Sequence, residues 1–152
     1  MTTIDATSLL AEIEGTTTLA VAEAELRAHG LTLDVGSLAM TLAEWIARGA
    51  PGARDAWLDP ADHLVAGFDA TLKNGTTIRM RPAPRRAVGP DLLALFFGTE
   101  GRYGTVTRAW IRVHKIGVPR PTSAPFASAR NPPVGAGEEA LLAALDRALG
   151  HA

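Results

Sequence analysis

Gly89-Pro90-Asp91-Leu92-Leu93-Ala94-Leu95-Phe96-Phe97-Gly98-Thr99-Glu100-Gly101-Arg102-Tyr103-Gly104-Thr105-Val106-Thr107 reads as a short helix, a glycine-punctuated loop and the start of a strand. Pro90 suits a first helical turn, where a missing N–H costs nothing. Asp91 suits the positive end of the helix dipole. Leu92, Leu95 and Phe96 stand at i, i+3 and i+4, which predicts one shared buried face. Gly98, Gly101 and Gly104 recur every third residue. Such glycines either take φ > 0 or let another group approach the backbone closely. On spacing alone, a tight turn between packed elements and a ligand-contacting loop both stay open.

Downstream, Thr105, Thr107, Ala109, Ile111 and Val113 alternate with Val106, Arg108, Trp110 and Arg112, the period of a strand with one core face. Upstream, Leu64 to Leu72 alternates in the same way, Asn74-Gly75 predicts a hairpin turn, and Ile78 and Met80 continue the buried face. Earlier still, residues 1–8 read as a frayed polar end. A strand (Leu9, Ala11, Ile13), a turn at Glu14-Gly15 and a second strand (Thr17, Leu19, Val21) follow. Ala22 to His29 reads as a helix closed by Gly30, and Leu31, Leu33 and Val35 as a short strand running into Gly36-Ser37. Thr41 and Glu44 have the spacing of a capping box for Leu42–Arg48, and Gly49-Ala50-Pro51-Gly52 ends that helix.

These residues carry a resemblance. The stretch from Gly89 is similar to the GPDL…GSEGTLGIIT signature of the FAD-linked oxidases, the vanillyl-alcohol-oxidase and glycolate-oxidase type with a PCMH-type FAD domain. Glu100, Gly101, Gly104, Val106 and Thr107 match it; Thr99 stands where Ser is usual, and Arg102, Tyr103 and Thr105 depart from it. In that family the loop lies against the adenine-dinucleotide end of FAD. The resemblance spans about Gly15 to His114, and it implies an α+β fold, a mostly antiparallel sheet with helices on one side, like the second FAD subdomain. It further implies that Gly36, Ser37, Thr41, Glu100, Gly101, Arg102, Tyr103, Gly104, Thr105 and Val106 face FAD, with Arg102 offered to the pyrophosphate. A family segment resembling TxGGxxxxxxxG has Ala43 and Glu44 in place of its paired glycines. A carboxylate there repels a pyrophosphate unless it is paired or points away. The PxGGG(T/S) loop of the first subdomain has no counterpart in these residues.

Composition narrows the classes. With 152 residues, 47% hydrophobic and 20% charged, the chain has the make-up of a globular protein. A net charge of −1 gives no basic footprint for nucleic acid. The absence of cysteine excludes disulfides, thiolate metal sites and cysteine nucleophiles. The four histidines lack metal-ligand spacing, His63 beside Asp62 reads as an ordinary loop residue, and GxSxG, GxxxxGK(S/T) and HExxH do not occur. Neither a membrane span nor a secretory leader is read, which makes a cytoplasmic protein the expectation. Arg79, Arg81, Arg85 and Arg86 crowd a proline-broken stretch that reads as a solvated loop or a phosphate or protein contact. Five of the ten prolines fall between Ile116 and Gly135, ahead of an amphipathic helix over Glu138–Leu149. The expected organisation is an FAD-subdomain-like domain at 1–115, a linker or arm at 116–136 and a C-terminal helix at 137–152. The functional expectation is a partial FAD-binding subunit of an oxidoreductase, completed by another chain or a second copy in a homo-oligomer or hetero-complex. A flavin-free scaffold or assembly subunit is the alternative, and a small enzyme using another ligand is a third. No catalytic or metal-binding residue is assigned.

Overall fold

The computed structural model describes residues 2–35, 39–53, 64–82, 91–119 and 136–149. The chain divides into two compact units, Met1–Val118 and Pro119–Ala152. The first unit is an α+β fold on a five-stranded antiparallel sheet, as the resemblance implies. Its strands are β1 (Thr3–Asp5), β2 (Leu10–Glu14), β4 (Val65–Leu72), β5 (Thr77–Met80) and β6 (Gly104–Arg112), in the spatial order β1-β2-β6-β4-β5. A two-stranded ribbon pairs β3 (Leu31–Thr32) with β7 (His114–Lys115). Helices α1 (Leu19–Arg27) and α2 (Leu42–Ala47) complete the unit, together with a 3₁₀ turn at Leu92–Leu95. The second unit contains α3 (Ala136–Ala148), two residues earlier than the periodicity predicts.

One face of the sheet is the core. Ala11 and Ile13 from β2, Phe68 and Ala70 from β4, and Val106, Ala109 and Ile111 from β6 are buried there. Leu42, Trp45 and Ile46 of α2 are buried too, and α2 packs on β6. The opposite face carries charge, with Arg108 paired to Glu12 at 3.0 Å and Arg79 to Asp69 at 3.2 Å. Such half-exposed pairs contribute little to stability and set the polar-out pattern of a one-sided sheet.

Several expectations are corrected. The alternation of Thr17, Leu19 and Val21 belongs to a helix: Thr18 is its N-cap, and Leu19, Ala22 and Leu26 form one buried stripe. Residues 3–5 are not frayed but pair with β2, through a turn in which the Asp5 carboxylate accepts from the N–H groups of Thr7 and Ser8. The buried pair in the signature helix is Leu93 and Phe96, while Leu92 and Leu95 are half-buried. A 3₁₀ turn eclipses i and i+3, so the α-helical face does not apply. Ile78 and Met80 are half-buried because β5 is an edge of the sheet. The β6 alternation breaks at Thr107. Asp69 pairs with Arg108 and Ala70 with Val106, leaving Thr107 as an extra residue. That bulge puts Val106 and Ala109 on the same face. A second bulge at Ala66, between Val65 and Gly67, restores the count on the partner strand.

Candidate functional site

α2 and the signature loop are built as one piece. The capping box is present: the Thr41 hydroxyl accepts from the Glu44 N–H, and the Glu44 carboxylate accepts from the Thr41 N–H at 2.8 Å and its hydroxyl at 3.0 Å. The N–H groups of Leu42 and Ala43 donate to the carbonyls of Thr17 and Gly15. The amino end of α2 is thus occupied by its own protein. At the other end, the carbonyls of Ile46 and Ala47 accept from the N–H groups of Gly98 and Glu100, at 3.0 and 2.8 Å. These carbonyls belong to the last turn of the helix; Ile46 also accepts from the Gly49 N–H at 2.9 Å, and the loop adds a further donor there and one to Ala47. To reach them the loop takes left-handed backbone at Gly98 (φ 72°), Glu100 (φ 53°) and Gly101 (φ 76°). Glu100 holds that conformation without glycine's freedom, a cost of about 1–2 kcal/mol that the surrounding structure imposes.

Between helix and loop runs a groove of about 190 Å³. Among the described residues it is lined by Ala43, Glu44, Ala47, Phe96, Glu100, Gly101, Gly104, Thr105 and Val106. It shares Glu44, Ala47 and Glu100 with a wider depression of about 490 Å³ that Arg48 also lines. The structure therefore brings Glu100, Gly101, Gly104, Thr105 and Val106 together. It does the same for Ala43 and Glu44, the residues in the place of the paired glycines. Thr41 is committed to its cap. Tyr103 is buried in the core at 2% exposure, its carbonyl accepting from the Lys73 N–H. Arg102 is exposed, with its guanidinium 5.6 Å from the centre of the Tyr103 ring, a cation–π distance. Neither residue is among those lining the groove. Gly36 and Ser37 lie outside the described residues, as do Pro90, Asp62, His63, Arg85, Arg86 and the prolines from 121 to 133. The sequence marks Phe96 as a core residue and Ala47 as a helix residue, and neither as a groove wall; the i, i+4 spacing of Ala43 and Ala47 places them on one helix face and is the signal for the latter.

Among the described residues lining it, the groove carries the acidic side chains of Glu44 and Glu100. The backbone N–H of Thr41, then its hydroxyl, and more weakly the Arg48 charge hold the Glu44 carboxyl below its ordinary value of 4.5. Glu44 is therefore ionised at neutral pH. Glu100 lines the same groove, and no cation is among the described residues that line the narrower part. Among the described residues no cluster of His, Cys, Asp or Glu is suited to hold a metal ion. No described helix is long and apolar enough to cross a membrane.

The chain is 29% identical over 116 residues to an uncharacterized FAD-linked oxidoreductase, YgcU, of Escherichia coli strain K12, and equally to that of strain O157:H7. The match covers 74% of this chain and 24% of the relative. Alkyldihydroxyacetonephosphate synthase, in crystal forms P212121 and P1, superposes with TM-scores of 0.60 and 0.59 at 22% and 24% identity. Each superposition covers 74% of this chain, and 21% and 22% of the synthase respectively. The chain is similar in sequence to FAD-linked oxidoreductases and shares a fold with the synthase. No family model matches it. It spans about a quarter of the length of the FAD-linked oxidoreductases it matches in sequence, 24% of each. FAD is named for those relatives, and the groove can be compared with its parts. The groove's apolar wall is made by Ala43, Ala47, Phe96 and Val106, the kind of surface on which a planar ring packs. Its two carboxylates do not fit a diphosphate.

Proposed function

We propose that this chain supplies the adenosine-contacting wall of an FAD site in a flavin-dependent oxidoreductase, with the facing walls coming from protein outside residues 1–118. The observation that carries this reading is the convergence of Glu100, Gly101, Gly104, Thr105 and Val106 on one groove with Ala43 and Ala47 of α2. A closed site for a drug-sized ligand needs about 300–1,000 Å³ and buries most of the ligand, so a groove of about 190 Å³ takes a fragment of the dinucleotide. FAD, when bound, supplies the redox chemistry. The chain's own part is to seat one end and hold it in register with the protein that faces the flavin.

One observation favours the alternative, a flavin-free assembly subunit: Glu44 stands where a diphosphate would be repelled. Equilibrium dialysis of the protein against FAD separates the two readings. Measurable FAD binding that is lost in Thr105→Trp, whose side chain fills the groove from an exposed strand position, supports the first. Retention of FAD by that variant refutes the groove as its seat, and no binding with a stable protein complex favours the second.

A further inference from the structure

We infer that the groove is charge-selective: it accepts the uncharged nucleoside portion of a ligand and turns its phosphates away, so that adenosine binds this chain more tightly than ADP does. The inference rests on the groove being the seat for adenosine and adds to that reading a discrimination the fold relationship does not imply. Three observations carry it. The amide donors that a helix N-terminus usually offers to phosphate are consumed here, because Leu42 and Ala43 donate to Thr17 and Gly15 and Glu44 donates to the Thr41 hydroxyl. The loop N–H groups of Gly98, Glu100 and Arg102 are likewise spent on the carbonyls of Ile46, Ala47 and Thr99. Finally, Glu44 and Glu100 line both the groove and the wider depression that shares residues with it, where Arg48 is the one cation among the described lining residues. Among the described lining residues, a phosphate meets two carboxylates with one guanidinium to offset them. A neutral ribose and adenine meet alanines, the Phe96 ring, Val106 and acceptor oxygens suited to a diol.

The carboxylates are exposed, so the discrimination is modest and screened by salt. A like charge at several ångströms in an effective dielectric between protein surface and water is worth about tenfold in affinity. The test is calorimetric titration of the purified chain with adenosine, AMP and ADP at low and high ionic strength. It is repeated with Glu44→Gln, Glu100→Gln and the double variant. Glutamine keeps an acceptor oxygen for the Thr41 cap, and circular dichroism checks that each variant is folded. The expected result is an order adenosine, AMP, ADP of decreasing affinity, with about a tenfold span at low salt that narrows with added salt and closes in the double variant. ADP binding as tightly as adenosine or more tightly overturns the charge selectivity and leaves the groove reading standing. A span that persists in the folded double variant overturns the assignment to these two carboxylates. Binding of none of the three overturns both the selectivity and the adenosine seat.

Discussion

Gly104 looks, in sequence, like one of three equivalent loop glycines, yet it answers to a different constraint from Gly101. A Cβ on Gly104 would lie 2.3 Å from the Thr71 carbonyl oxygen and 2.8 Å from the Leu72 Cα, both backbone atoms of the neighbouring strand. A Cβ on Gly101 meets only the Gly104 carbonyl at 3.8 Å, and its constraint is the φ of +76°. Gly104→Ala therefore forces β4 and β6 apart, at about 1–3 kcal/mol or more. Gly101→Ala costs about 1 kcal/mol of backbone strain. Urea denaturation of the two variants should rank them in that order, and equal midpoints would contradict the strand-contact account. Glu44 makes a second residue-level prediction. Its folded pKa is depressed, so its contribution to stability is fully present above the unfolded value, ordinarily 4.5, and is lost as pH falls through the lower folded one. In Glu44→Gln the acid limb of stability against pH should flatten below pH 4.5, and the wild-type advantage should shrink there. A pH-independent difference would show that the carboxylate charge plays no part in the cap.

Among elements, the loop and α2 stand or fall together through Phe96. Its ring packs edge-on against Phe68 of β4 with centroids 5.5 Å apart, and it also lines the groove. Phe96→Ala is expected to cost about 3–5 kcal/mol, a large part of the 5–15 kcal/mol typical of a domain. Thermal unfolding should show the loss, and a change under about 1 kcal/mol would mean the 3₁₀ turn is not anchored through this ring. The elements legible in the sequence were those whose determinants are local. The Asn74-Gly75 hairpin and the Thr41–Glu44 capping box both sit where residue chemistry places them. The illegible ones depend on partners distant in sequence. β1 is three residues long and exists because β2 lies beside it. The bulge at Thr107 is set by Asp69 and by Gly15, whose N–H donates to the Thr107 carbonyl at 2.8 Å. No period in β6 announces that contact. Leu19 and Val21 alternate like a strand, whereas the Thr18 cap starts α1 there. For the site, the glycine loop was visible as a motif. Ala47 and Phe96 were not, because joining the groove is a property of how the loop hangs from the carbonyl end of α2.

At the scale of the whole molecule, the half-site reading makes a claim about concentration. A wall that covers one end of a dinucleotide leaves most of the ligand in water, while tight sites bury some 70–90% of a ligand of that size. The isolated chain should therefore hold FAD weakly, with a dissociation constant of about 100 μM or higher, by the loss of roughly half the contact surface. If a second copy supplies the facing wall, ligand binding and association are linked, and apparent affinity must rise with protein concentration. Sedimentation velocity with and without saturating FAD should then show a ligand-dependent shift toward the dimer. If a different chain supplies it, affinity stays flat with concentration and rises when that chain is added. Tight binding of one FAD per chain, at micromolar affinity or better and independent of protein concentration, would mean that residues of this chain enclose the whole cofactor. The half-site account would then fail, whatever the nucleoside preference of the groove.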